Sequence, residues 1–188
     1  MITNPHTDLV LIQAAQQGDQ QAFRQLISRY EQQVAATVVG MLGNGQDAED
    51  VGQEVFIRFY RTLDQFRGES SLGTYLTRIA INLSLNQLKK RKRNQRFRFF
   101  GKQSEEGPEL QVPDQGLSQE QRETQAFVQT GLQQLAPEFR SVVVLRLLEG
   151  YSTQETAEIL DIKPGTVLSR LSRAQAKLRE ILKSLDTA

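Results

Sequence analysis

Apolar residues recur along most of this chain at intervals of three and four, the period that lines one face of an α-helix. No segment shows the interval of two that a half-buried strand requires. Leu9, Ile12 and Ala15 predict a short first helix over about 8–17, broken at Gly18. Asp19 is placed to cap a second, whose stripe Ala22, Phe23, Leu26, Ile27, Tyr30, Val34, Val38 and Met41 runs to the turn Gly43-Asn44-Gly45. A third helix over about 46–65 carries Val51, Val55, Phe59, Leu63 and Phe66 inward. A fourth, from about Ser71 to Lys90 or beyond, carries Leu72, Leu76, Ile79, Leu83 and Leu88. Ser118 then caps a helix to about Gln134, and Pro137 opens another, with Phe139, Val142, Val143, Leu145, Arg146 and Leu147, that ends at Gly150. The last stretch, Tyr151 to Ala174, reads as two helices and a tight turn. Ser152 or Thr153 caps the first, Asp161-Ile162-Lys163 turns, Pro164 opens the second, and Val167, Leu171, Ala174 and Leu178 form its buried stripe.

Three polar faces stand out between these stripes. On the third helix Asp47, Asp50, Glu54, Arg58 and Arg61 follow one another at spacings of three and four. Acids suit the positive end of a helix, and Glu54 four residues before Arg58 is a favourable ion-pair order, so the row reads by itself as a solvated face, which a docking surface would resemble. On the fourth helix Thr74, Tyr75, Arg78, Asn82 and Asn86 share the polar side and lead into KKRKRNQRFRFFGK. That run places eight Lys or Arg and no acid between Lys89 and Lys102, with Phe97, Phe99 and Phe100 interleaved, a mixture suited to phosphates and stacked bases. On the last helix Thr166, Ser169, Arg170, Ser172, Arg173 and Lys177 face outward. A short, polar, cationic face of this kind fits a DNA major groove, although a solvated amphipathic helix has the same period.

Composition narrows the choice by exclusion. The 188 residues carry a formal net charge of +1, so the distribution of charge says more about partners than its total. Gln103 to Glu123 holds six acids against one Arg and should repel polyanions, and its part to about Ser118, mixed with Gly and Pro, predicts a flexible linker. Without cysteine there is no disulfide and no thiolate metal site, which suits a reducing cytoplasm, and the single histidine, His6, cannot build a metal site alone. No apolar run approaches the roughly 18 residues that span a bilayer, and no secretion signal is visible, so membrane insertion is not expected. There is no glycine-rich phosphate loop, nucleophile elbow or HExxH, so neither an enzyme nor a cofactor is expected.

Two segments carry a resemblance. DAEDVGQEVFIRFYRTLDQFRGESSLGTYLTRIAINLSLNQLKKRKR and LQQLAPEFRSVVVLRLLEGYSTQETAEILDIKPGTVLSRLSRAQAKLRE resemble regions two and four of the extracytoplasmic-function group of sigma-70-family transcription initiation factors. The resemblance implies an all-α protein of two small domains: a four-helix region two over 1–98, a flexible linker over 99–118, and a helix-turn-helix region four over 119–188. It implies that Asp47, Asp50, Gln53, Glu54 and Arg58 dock on the clamp coiled coil of the largest subunit of RNA polymerase, whose flap region is a further partner. Phe66, Arg67, Gly68 and Ser70, with Tyr75, Arg78, Asn82 and Asn86, would engage the minus-ten promoter element and capture a flipped base, while Lys89, Lys90 and Arg91 follow phosphates. Thr166, Leu168, Ser169, Arg170, Ser172 and Arg173 would read the minus-thirty-five element. An inhibitory partner of the anti-sigma type is also implied.

Three positions depart from the family pattern. Tyr75 stands where tryptophan is frequent, Leu168 where Lys or Arg usually follows GTV, and Asp161 in a turn where glycine is common. Leu168 exchanges a polar contact for an apolar one, such as a thymine methyl. Asp161 is tolerable because Asp enters the left-handed region more easily than most residues. The alternative reading is a stand-alone helix-turn-helix regulator, which would need neither the charged row nor a base-capturing loop.

Overall fold

The computed structural model describes the backbone of residues 5–99 and 118–186, with side chains over 8–95 and 118–186. The expectations for His6, for the phenylalanines at 97, 99 and 100, and for the linker lie outside the described residues. Eight α-helices and no strand are found among the described residues.

The first half of the chain is a four-helix domain. α1 (Pro5–Gln16) leads to Asp19, whose carboxylate accepts the backbone N–H groups of Gln21 at 2.8 Å and Ala22 at 3.1 Å. That cap is worth about 1 kcal/mol and starts α2 (Gln20–Leu42). Gly43, at φ +80°, ends it. α3 (Gln46–Thr62) tightens into one 3₁₀ turn at Leu63–Gln65. Ser71 Oγ accepts the Thr74 N–H at 3.1 Å and begins α4 (Leu72–Phe99), which continues past Lys90 and carries the basic run as far as Phe99 on a helix. Lys, Arg, Gln and Asn have no difficulty extending a helix that is anchored upstream. Leu26, Val34, Val38, Met41, Val55, Phe59, Leu76 and Ile81 fill the core at 0–1% exposure. Two details differ from the periodic reading. Leu9, expected inward, is 45% exposed, and Ala80 and Ile81 are more deeply buried on α4 than Ile79. α4 packs against α2, α3 and the second half of the chain, so its buried face is wider than one stripe.

The second half contains α5 (Gln119–Gln134), opened by a reciprocal Ser118–Gln121 cap, and α6 (Pro137–Val143). α6 runs into a π turn at Val144–Leu148, closed by the Glu149 N–H on the Val144 carbonyl. Then follow α7 (Thr153–Leu160) and α8 (Pro164–Asp186). Ser152 is the residue that caps α7, with Glu155 returning the bond, and Asp161 makes the turn in the left-handed conformation at φ 52°. Val142, Ala157 and Val167 form the small core that fixes α7 against α8.

Periodicity gives no sign of the seam between the two halves. Val144, Leu145 and Ile159 belong to the same apolar cluster as the first domain's core. Gly40 on α2 permits the approach, since a Cβ there would lie 3.0 and 3.2 Å from the Val144 methyls. The Gly43 N–H reaches Val39 O at 2.9 Å, and side chains meet the last carbonyls of α2 from outside the helix. Gln129 donates to Val39 O, Gln133 to Gly40 O, Arg140 to Met41 O and Arg91 to Leu42 O, the first three reaching across the seam. Two guanidinium groups at a helix C-terminus also match its negative end. Arg140 is 4% exposed and donates in addition to the carbonyls of Gln133 and Leu135. Burial pulls its guanidinium down to about 10, with repulsion from Arg91 adding to the effect, so it stays charged at neutral pH. At the other side of the seam Gln33 Nε2 donates to Tyr151 Oη at 2.9 Å, and Tyr151 Oη shares a hydrogen bond with Thr77 Oγ1 at 3.0 Å.

Candidate nucleic-acid interface

The charged row on α3 separates into two parts. Asp50, Gln53 and Arg58 are exposed, and Glu54 accepts from Arg58 Nε at 3.0 Å in a surface pair worth a few tenths of a kcal/mol. Asp47 is turned toward α4, where Arg91 Nε donates to it. Burial pushes the Asp47 carboxyl up, but hydrogen bonds from Gln87 and Arg91 and the charges of Arg91 and Lys90 outweigh this and hold it below the usual carboxylate range. So Asp47 and Arg91, which the sequence assigns to different surfaces, form one ion pair that ties α3 to α4. Beside the exposed part of the row lies an apolar groove of about 450 Å³ between α2 and α3, with Val34, Val39 and Phe56 in its walls and Glu31, Glu49 and Gln53 around it.

The loop before α4 is held by aromatic packing. Phe66 lies edge-on to Tyr75 at 5.1 Å and to Phe59 at 6.3 Å, and Thr62 Oγ1 meets Tyr75 Oη at 2.9 Å. Tyr75, expected along the polar side, is therefore half-buried and supports the loop. Arg67 and Gly68 are exposed, and Gly68 takes φ +73°, which lets the loop fold back over α1. Residues 66 and 68–72 wall a pocket of about 300 Å³ whose other side is Asp8, Leu9 and Ile12 of α1 and Tyr30 of α2. Along α4, Arg78 is half-buried, Asn82 and Asn86 are exposed, and Lys89, Lys90, Lys92 and Arg93 continue the exposed side. The spacing from Arg78 through Asn82, Asn86 and Lys89 is four, four and three, so these side chains lie on one helix face.

In the second half, Leu168, Ser169, Ser172 and Arg173 are exposed on α8 while Thr166 and Arg170 are half-buried. Leu168, at 56%, is a large apolar side chain left in solvent in the middle of a polar face. Ser169 Oγ donates to Thr166 O at 3.0 Å, which keeps the start of that face low. Lys177, expected to extend it, has its ammonium 4.9 Å from the centre of the Phe139 ring. Among the described residues there is no cluster of His, Cys, Asp or Glu that could hold a metal ion, and no helix is long and apolar enough to cross a membrane.

Sequence reasoning missed Asp8, Arg140 and the Gln33–Thr77–Tyr151 group. Asp8 is 6% exposed and accepts from Arg29 Nη1 at 2.8 Å and Tyr30 Oη at 2.5 Å. On the sequence it stands as an ordinary acid in the first turn of a helix, so no local signal marks it.

Comparison with known proteins finds the family model "Sigma-70 region 2" on residues 26–94 and "Sigma-70, region 4" on residues 128–178. The chain is 38% identical over 181 positions to the ECF RNA polymerase sigma-E factor of Escherichia coli, covering 90% of this chain and 91% of that one. It is 33% identical over 190 positions to the RNA polymerase sigma-H factor of Pseudomonas aeruginosa, covering 95% of each. Among solved structures it is similar to the sigma factor RpoE in complex with the anti-sigma factor NepR from Bartonella quintana, with a TM-score of 0.69 and 25% identity over 86% of this chain and 96% of that one. It is also similar to CnrH in complex with the cytosolic domain of CnrY, with a TM-score of 0.65 and 26% identity over 95% and 98%.

Proposed function

The chain belongs to the extracytoplasmic-function group of sigma-70-family initiation factors, and from that premise we propose how its surfaces divide the work of binding core RNA polymerase and directing it to promoters. The exposed part of the α3 row, Asp50, Gln53, Glu54 and Arg58, docks on the clamp coiled coil of the polymerase, with the neighbouring groove taking the apolar side of that helical partner. Asp47 and Arg91 contribute by holding α3 and α4 in register. The 66–72 loop and α4 engage the minus-ten element: the pocket receives a base, Asn82 and Asn86 meet base edges, and Lys89, Lys90 and Arg93 follow phosphates. α8 reads the minus-thirty-five element, with Leu168 as an apolar contact among polar ones. The polymerase carries out the phosphoryl chemistry, so the chain itself acts as a non-enzymatic initiation factor in the cytoplasm. An anti-sigma protein that clamps the two halves is a fitting inhibitor, and the similar sigma factor RpoE is held in complex with the anti-sigma factor NepR.

One observation carries this division. The first domain bears two separate polar faces, on α3 and on α4, where a stand-alone DNA-binding regulator would need only α8. Reversing one charge tests it. Glu54→Arg is expected to weaken association with core polymerase at least tenfold with helicity unchanged; unaltered association would return the row to a solvated face.

The seam adds a requirement. Promoter elements centred near −10 and −35 lie about 25 base pairs apart, which is ~85 Å along B-DNA. A domain of this size is ~30 Å across. Two domains in contact at Tyr151 and Thr77 cannot reach both elements, so the closed molecule opens when it engages a promoter. The eighteen residues at 100–117 can span at most ~60 Å, enough for domains that separate and remain tethered.

A further inference from the structure

We propose that the pocket between the 66–72 loop and α1 selects a base carrying an exocyclic amino group over thymine, and that Asp8 is the residue that reads it. This rests on the reading that the pocket captures a flipped base. Its floor is apolar: Ile12, Phe66 and Leu72 present hydrocarbon and ring surface to the face of a base. Its polar wall sets the carboxylates of Asp8 and Glu69 beside the hydroxyls of Tyr30, Ser70 and Ser71. Asp8 is the buried member, and Glu69 stands at the exposed rim.

The Asp8 carboxylate is fixed rather than free. Arg29 Nη1 holds Oδ1 at 2.8 Å and Tyr30 Oη holds Oδ2 at 2.5 Å, a bond from each of two neighbouring α2 residues. Each carboxylate oxygen accepts twice, so both keep one acceptor site. Arg29 also offsets the negative charge, which lowers repulsion of the DNA backbone that must pass the pocket mouth. A pre-positioned acceptor pair of this kind matches a base edge that offers an amino group. Cytosine, adenine and guanine each have one. Thymine offers a single ring N–H flanked by two carbonyl oxygens, which would face the carboxylate. A site built to accept a hydrogen bond rejects an analogue that lacks the donor.

Asp8 also ties α1 to α2, so the test separates selection from tethering. Holoenzyme is assembled on promoters with a pre-melted minus-ten region, which removes differences in duplex stability, and each of the four bases is placed at every non-template position in turn. A neighbouring 2-aminopurine reports unstacking. At the position that unstacks, the wild-type chain should favour the three amino-bearing bases over thymine by at least tenfold. Asp8→Asn, which keeps the shape and gains a donor, should cut that ratio to threefold or less. Tyr30→Phe, which frees Oδ2, should reduce it by a smaller factor while leaving the ring packing in place. A purely tethering Asp8 would lower initiation for all four bases alike and leave the ratio unchanged, which overturns the proposal. Unstacking without preference against thymine in the wild type also overturns it, yet leaves base capture standing. No unstacking at any position overturns base capture and this proposal together.

Discussion

The first domain's core and the seam between the two halves are both buried, and they are built differently. The core is a continuous apolar and aromatic mass: Phe23 stacks on Phe59 at 5.7 Å, Phe59 meets Phe66 and Tyr75, and Leu26, Met41 and Val55 are sealed around them. The seam joins a few apolar side chains, Val144, Leu145 and Ile159, to hydrogen bonds that Gln129, Gln133 and Arg140 donate and to one that Tyr151 accepts from Gln33. Polar groups lose little on exposure because water replaces their partners, whereas apolar area does not recover its loss. A core of the first kind stays together throughout the working cycle. A seam of the second kind is suited to opening when polymerase and promoter compete for the two halves.

The widest separation between core and seam should come from cutting each in turn. Phe59→Ala removes a fully buried ring and should cost ~3–5 kcal/mol of unfolding free energy, seen as loss of the folded baseline in thermal melts. Gly40→Leu should do the opposite to the first domain, since replacing a glycine in the last turn of α2 favours the helix by a fraction of ~1 kcal/mol. Its new side chain meets Val144, however, and wedges the seam apart. Small-angle scattering should then report a radius of gyration well above the ~16 Å of a compact 188-residue chain, with the melting temperature of the first domain kept or raised. Loss of helicity instead would place Gly40 in the core's account rather than the seam's.

Tyr151→Phe is gentler. It deletes one hydroxyl shared by Gln33 and Thr77, so the closed state should lose ~1 kcal/mol, about a fivefold shift toward open molecules. The smallest effect is expected from Glu149. Burial pushes its carboxyl above the ordinary value near 4.5, against a hydrogen bond from Thr37 across the seam. Arg29, Glu31, Tyr151 and Glu155 surround the same cleft. A raised value means that the closed state prefers the protonated form, so closure is strongest below pH 4.5 and weakens as pH rises through the raised value. Glu149→Gln should remove that dependence and favour closure slightly at neutral pH.

Helix positions were legible because local chemistry marks them. Asp19, Ser118, Pro137 and Pro164 start elements and Asp161 ends one, each acting within a few residues of itself. Both polar faces of the first domain and the outer face of α8 followed from the same period. The seam was not legible, because Gln33 and Tyr151 are 118 positions apart and Gly40 has no local reason to be glycine. The π turn at Val144–Leu148 contains no breaking residue, and it coincides with the place where Val144 and Leu145 join the apolar cluster of the first domain. Asp47 and Arg91 were assigned to different partners because spacing along one helix says nothing of a neighbour 44 positions away. Asp8 escaped notice for the same reason, its partners lying on another helix.

Opening of the seam can be read directly from the distance between the two halves. The chain has no cysteine, so single cysteines introduced at the exposed Gln21 and Arg179 can carry a fluorophore pair without interference. In the free chain, energy transfer should report one compact population with labels less than about 50 Å apart. On forming the polymerase–promoter complex, the distance should move beyond about 60 Å. A free chain already that wide, or a promoter complex that keeps the short distance while initiating transcripts, would contradict the account.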